Sequence, residues 1–477
     1  MSRALASLVS LALLATACNR PSDGPSTKPP QGSGQAEATP PKLDPEQLAK
    51  DIQTLADDGW AGRFTKDLEH LGVAADYIAA SHKAAGIQPV GSSYRVEFEY
   101  PTGKEPGDAF YLWVDSESDT VQVHEADVQP AAFGPRRAVV GTPVWVAASS
   151  TEGVKGRAVL TPAPEGDVHV RVQALASAGA SAVLFVTEHL PAAVAEPPTD
   201  SIGAAWITTA NATTSMKLPS GPAPKQAAEL EGIKISMARS EKEVHSTAPN
   251  VVAWIEGSER PEEIVLLGAH YDHIGTKDFG TFCRPPENDT DPDDVICNGA
   301  DDNASGTALL MNIARAIAKS GYRPKRSLVF AHFAGEELGL HGSRGLAETP
   351  PAVAPFSTGH VVAMLNMDMV GRLAEDGVEV GGEKTSAAWP AIIAAAAPAS
   401  LKVKHPESVT GRSDHAHWFR QGIPVLFFFT GIHADYHRTS DEFETLNLAG
   451  IADIGELVLG VTLALAEGAE VPATPKK

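Results

Sequence analysis

Cysteine is scarce, with three in 477 residues. That excludes a small disulfide-knit fold and any metal centre built on four thiolates. Positive charge is also short. The formal net charge is −22 at pH 7, which argues against nucleic acid or an anionic membrane surface as the partner. No internal period is visible, so a repeat array is excluded. The one apolar run at the N-terminus, "ALASLVSLALL" (4–14), is too short to span a membrane in the ordinary way. What remains is an ordinary globular composition, 43% hydrophobic and 21% charged. It is long enough for more than one domain or one large domain with an insertion.

The N-terminus reads as an export signal. Arg3 supplies a charge, 4–14 the apolar core, and "ATAC" (15–18) small residues leading to Cys18. This pattern resembles the lipobox of bacterial lipoproteins. The resemblance implies cleavage after residue 17, lipid on Cys18, and an exported protein of the bacterial cell envelope held to the membrane through Cys18 only. Residues 18–43, rich in Pro, Gly and Ser, read as a disordered tether. The remaining cysteines, Cys283 and Cys297, suggest one disulfide in an exported chain, and no His lies between them to complete a zinc site.

Texture divides the rest. Residues 44–104 open with two helical patterns and end in the alternating run "SYRVEFEY" (93–100). Residues 105–244 hold short strand-like runs among many Gly, Pro and Ala. Residues 245–470 alternate buried strands with helices, followed by a tail, 471–477. The expected fold class is α/β, a mostly parallel central sheet flanked by helices with a smaller inserted domain. In such sheets ligands gather beyond the carboxyl ends of the strands.

Chemistry-bearing residues fall at those ends. His270 and Asp272 follow "IVLLGA", Glu336 and Glu337 follow "LVFAHFAG", Asp368 ends "VVAMLNM", and His437 lies beyond "VLFFF". Asp302, in "GADDNASG" (299–306), caps the helix after the first of these strands. Singly, each residue has an ordinary explanation as a turn or solvated face. Together they deliver imidazole and carboxylate to one edge, the donor set of a metal centre.

In order, "HYDH…GADDNASG…AGEELGL…NMDMVGR…DYHRTSDE" closely resembles the M28 family of co-catalytic zinc exopeptidases, chiefly aminopeptidases. The block 105–244, through "GRAVL…ALASAGASAVLFV", resembles the protease-associated domain inserted in many exported peptidases. The M28 resemblance implies two Zn²⁺ per chain and peptide substrates. His270 and Asp368 would bind one ion, Glu337 and His437 the other, and Asp302 both. Asp272 would orient His270, and Glu336 would act as general base toward the attacking water. Tyr436 would steady the developing oxyanion. A cis peptide between Asp302 and Asn303 is implied as well.

His273, His332, His341, His415 and His417 match no metal position. Arg412 and Asp414, around "SDHAHWF", are candidates for the substrate pocket. The acidic run "ENDTDPDD" (287–294) lacks a regular Ca²⁺ loop and reads as solvated. The alternatives are a carboxypeptidase or dipeptidase of the same fold, and a glutaminyl cyclase-like enzyme with a single zinc. Oligomeric state is not legible in the sequence.

Overall fold

The computed structural model describes residues 39–132, 139–191, 202–279, 283–286, 293–407 and 411–473. The signal segment, Cys18, most of the tether and most of the acidic run therefore lie outside the described residues. Residues 39–43, grouped with the tether in the sequence, are docked: Thr39 N donates to Ser320 O at 3.2 Å and Leu43 is buried. Asp44 then caps helix α1 (Pro45–Leu55), accepting from Gln47 N at 3.1 Å. Asp67 caps α2 (Leu68–Ala84) in the same way.

The strands that position the site are β1 (Arg95–Ser116), β2 (Ile233–Ile255), β3 (Arg260–His270), β4 (Arg326–Phe333), β5 (His360–Met367), β6 (Val378–Gly381), β7 (Val403–Lys404) and β8 (Val425–Phe429). Their order across the main sheet is β7-β6-β8-β5-β3-β4-β2-β1. The four central strands β8, β5, β3 and β4 run parallel. The flanks do not: β2 is antiparallel to both β4 and β1, and β6 is antiparallel to β8. The parallel reading thus holds for the centre, while the whole sheet is mixed.

Buried runs explain the centre. Ile264 to His270 of β3 is buried at every position, as expected of a strand covered on both faces. Val265, Leu267 and Ala269 face the core beneath α1, α2, α3 (Gly306–Lys319) and α4 (Leu448–Ala466). Ile264 and Leu266 face the opposite side, with Leu346 and Trp418. Each fully buried aliphatic side chain contributes roughly 1.5–3 kcal/mol. Helix α4 is long and apolar enough to cross a membrane. Here its Ile451, Ile454, Leu457, Val458 and Leu465 are fully buried in the core.

Strands β1 and β2 pair from Arg95↔Val251 out to Ser116↔Ile233. The boundaries read at 104/105 and 244/245 fall inside these strands. Polar residues such as Lys104 and Glu243 changed the texture there, but strand pairing uses backbone groups and continues through them. Beyond the hairpin, a second sheet runs in the order 228–229, 143–145, 158–162, 182–187, 203–208, 128–132. Its Leu160, Leu184 and Ile207 pack on Leu112, Val114, Ile235 and Met237 of the hairpin. Cys283 and Cys297 are joined by a disulfide.

One buried pair lies apart from the sheet edge. His82 of α2 and His332 of β4 are fully buried with their Nε2 atoms 3.0 Å apart. Burial, helped by the Arg315 charge, lowers His82 to about 3. Burial, His82 and Arg315 lower His332 well below its ordinary value. Both are neutral in the fold and free to protonate once unfolded. Their stabilising contribution is therefore complete above about pH 6.5 and is lost as the pH falls toward 3. Between pH 7 and pH 5 the loss for His82 is about 2 kcal/mol, and His332 adds a loss of the same sign. Urea unfolding of wild type and His82→Phe/His332→Leu at both pH values is expected to show that much weaker pH dependence in the variant.

Candidate metal centre

The polar residues of "GADDNASG" each have a bonding reason. Asp301 Oδ1 accepts from Gly371 N at 2.5 Å and from Ser305 Oγ at 3.0 Å. Asn303 bridges the turn to the end of β5: its Nδ2 donates to Met367 O, and its Oδ1 accepts from Met369 N and Gly306 N, all at 3.0–3.1 Å. Those two methionines flank Asp368. Gly306 is required because a Cβ there would lie 2.5 Å from Met367 O. The backbone N–H groups of Asp301 and Asp302 both point at Asp441 Oδ2, 3.0 and 3.1 Å away. The Asp302–Asn303 peptide is cis. Among these neighbours, the carboxylate of Asp302 is left to face the strand ends.

Its two oxygens look in different directions. Oδ1 lies 3.4 Å from His270 Nε2, which is also 3.2 Å from Asp368 Oδ1. Oδ2 lies 3.3 Å from His437 Nε2, which is 3.1 Å from Glu337 Oε2. The five residues read as ligands in the sequence are thus brought together, with Asp302 between two groups. His270, Asp302 and Asp368 are buried. His437 has a backbone φ of 57°, the left-handed region that non-glycine residues seldom adopt.

The structure adds His273, set aside in the sequence. It is fully buried and its Nδ1 lies 2.8 Å from Glu337 Oε1 and 3.8 Å from Asp302 Oδ2. It forms a candidate metal group with those two carboxylates, as His270 does with Asp302 and Asp368. An ionised carboxylate only accepts, so His273 donates from Nδ1. The signal was present in "HYDH", but one more His beside a strand end carries no spatial information.

Asp272 also differs in detail. The oxygen nearest to His270 Nδ1 is its backbone carbonyl, at 3.2 Å, while the carboxylate Oδ1 stands at 3.7 Å. That carboxylate instead accepts from Thr65 Oγ1 (2.7 Å), Gly335 N (2.9 Å) and Glu336 N (3.3 Å). Asp272 thereby ties the Glu336–Glu337 loop to the end of β3. Burial raises its carboxyl to about 6. Asp414 is fully buried, away from the pocket wall, and burial raises it to about 7. Arg412 does line the pocket, with Asp368, Met369, Phe427, Phe429, Ile432 and Tyr436 around a cavity of about 160 Å³. The Tyr436 ring stacks on His437 at 3.9 Å.

The electrostatics favour a cation. Against the effect of burial, the hydrogen bond from His273 and the neighbouring His437 imidazole pull Glu337 well below the usual carboxylate range. Against burial again, Asp302 and Glu337 raise His437 to about 10. His437 Nε2 lies 3.3 Å from Asp302 Oδ2 and 3.1 Å from Glu337 Oε2 without a well-aligned hydrogen bond to either. Carboxylates so crowded need positive charge, and imidazole nitrogen with carboxylate oxygen is a donor set suited to zinc.

Residues 250–462 match the profile of peptidase family M28, so that part of the chain is M28-like in sequence. A probable zinc metalloprotease of Leptosphaeria maculans is 30% identical over 228 residues, 46% of this chain and 47% of its own length. A probable aminopeptidase of Saccharomyces cerevisiae is 31% identical over 229 residues, 45% of this chain and 57% of its own. The chain thus spans about half the length of these curated relatives. A solved zinc aminopeptidase from Bacillus subtilis aligns with 91% of this chain and 98% of its own, at 16% identity and a TM-score of 0.49.

His273 and His437 are separable by experiment. His273→Phe is expected to weaken zinc binding by about 10-fold, the usual effect of losing a group that orients a ligand. His437→Phe is expected to weaken it far more. Competition with a chromophoric chelator reads both, and equal losses would make His273 itself a ligand.

Proposed function

We propose that the chain is a zinc metallopeptidase that releases N-terminal residues from peptides, with two Zn²⁺ sharing Asp302. The observation that carries this reading is the split orientation of Asp302, Oδ1 toward His270 and Oδ2 toward His437. His270 and Asp368 would hold one ion, and Glu337 and His437 the other. A single-zinc cyclase would have less use for a carboxylate shared in this way. Zinc bound there supplies Lewis acidity and lowers the pKa of an attacking water toward neutrality.

The chain's own residues do the rest. Glu336 stands beside the ligand Glu337, and burial pushes its carboxyl well above the ordinary range, with Glu337, Asp368 and Asp414 adding to the rise and His270 opposing it. A carboxylate of raised pKa is suited to take a proton from water and return it to the leaving amine. Asp272 fixes where Glu336 stands, through the Glu336 backbone N–H. Tyr436, on the pocket wall beside His437, would donate to the oxyanion of the scissile carbonyl.

Met369, Phe427, Phe429 and Ile432 make the cavity beside Asp368 largely apolar, which favours a large apolar first residue. Arg412 on the same wall supports the second reading, a carboxypeptidase, because a guanidinium pairs with a free carboxylate. The second sheet, as a protease-associated-type insertion, would govern access to the site. The N-terminal pattern supports export and lipid attachment at Cys18.

Two experiments test this. Aminoacyl substrates with Leu or Phe first are expected to be cleaved, N-blocked peptides spared, and activity lost on chelation. Preference for N-blocked peptides with a free carboxylate would favour the Arg412 reading. Glu336→Gln is expected to retain two zinc ions by metal analysis while kcat falls by about 10²–10⁴. Near-normal turnover in that variant would assign the proton transfer to another group.

A further inference from the structure

The family match begins at residue 250, yet the groups that hold the site in shape come in part from residues 62–65. Arg63 is fully buried, with 1% of its surface exposed. Its guanidinium is directed at backbone carbonyls. Nε donates to Tyr271 O at 2.9 Å, one terminal nitrogen to Leu55 O and to Asn298 O, and the other to Gly299 O at 3.0 Å. These carbonyls lie on separate stretches. Tyr271 stands between His270 and Asp272. Asn298 and Gly299 lead into the turn that carries Asp302. Leu55 ends α1.

The backbone around Arg63 joins the same parts. Arg63 O accepts from His273 N and Gly62 O from Gly275 N, each at 3.2 Å. Gly62 has φ of 69°, and a Cβ there would lie 2.5 Å from Cys297 O. Two residues on, Thr65 Oγ1 donates to Asp272 Oδ2 at 2.7 Å and accepts from Gly335 N at 2.9 Å. One short stretch therefore touches the end of β3, the turn before Asp302 and the loop before Glu336 and Glu337.

We infer that Arg63 and Thr65 are the positioning residues of the metal centre: the guanidinium fixes the distance between the His270 and Asp302 segments, and the hydroxyl locks the Glu337 loop to Asp272. This rests on the zinc reading given above. Only a guanidinium offers five donors in a rigid planar fork. A lysine ammonium keeps the charge but cannot hold carbonyls on so many segments in one geometry. A buried cation is costly without compensation. Burial lowers Arg63 to about 10, and the carbonyl dipoles with the nearby charges of Asp302, Asp272, Asp441 and Glu337 offset the rest of the cost in part.

The test uses the full chain and zinc alone as the probe. Arg63→Lys, Thr65→Val and Thr65→Ser are compared with wild type by chelator competition and by thermal unfolding. Arg63→Lys and Thr65→Val are expected to unfold cooperatively and to bind zinc about 10–100-fold more weakly, the range for lost support of metal ligands. Their kcat is expected to fall with KM nearly constant, and Thr65→Ser to match wild type in both. A residue with a purely structural part would lower the unfolding temperature and leave zinc affinity unchanged. Folded Arg63→Lys with wild-type zinc affinity overturns the assignment. Should Arg63→Lys not fold, the threonine pair decides: equal zinc affinity in Thr65→Val and Thr65→Ser overturns it. Wild type that takes up no zinc is a different failure, since it removes the metal reading before any variant is compared.

Discussion

Too many carboxylates meet at one buried sheet edge, and most of the architecture around it answers that constraint. Two unit charges 4 Å apart at an effective dielectric constant near 20 repel by about 4 kcal/mol. The chain handles this by dividing its acids into two groups. Asp272, Asp301 and Asp441 form an outer set that accepts backbone N–H groups from Gly335, Glu336, Gly371, Asp301 and Asp302. These backbone bonds offset part of the cost of burying them, and in return they fix the loops. Asp302, Glu337 and Asp368 form an inner set whose close partners are the imidazole rings of His270, His273 and His437. The inner set is what a cation meets.

Much of the inner set was legible because strand ends are legible. Buried apolar runs announce the parallel strands, and the rule that ligands gather at their carboxyl ends converts a linear sequence into a shared edge. His270, Asp302, Glu337, Asp368 and His437 follow from that geometry and from the family resemblance. Arg63, Thr65 and Asp441 do not. Their roles depend on backbone carbonyl and N–H groups, which every residue carries, so no pattern of side chains marks them. His273 fails for a related reason: the motif shows which residue types are near the edge, but not which way a ring turns.

The hairpin shows another limit. Periodicity reveals a strand when one face is buried, and the middle of β1 and β2 loses that signal where polar residues occupy both strands. The domain boundary read at that point marked a change in burial while the backbone ladder ran on. Residues 39–43 misled in the opposite sense, since Pro-rich composition suggested a free tether although Leu43 is held in the core.

The hairpin also reconciles chain order with site assembly. Arg63 and Thr65 precede the second sheet, and nearly every other residue at the site follows it. Closing so long a loop costs entropy that grows only slowly with length. The paired strands, together with the apolar cluster joining them to the second sheet, bring both ends back to a fixed register. An insertion at the tip of such a ladder leaves the register at its base unchanged, because each strand pair near β4 is set by its own neighbours. The second sheet can therefore vary without moving His270 relative to Arg63. The matched segment 250–462, in contrast, contains the inner carboxylates and all three imidazoles but neither positioning residue. The candidate ligands stand after the second sheet in the chain, and two residues bonded to their segments stand before it.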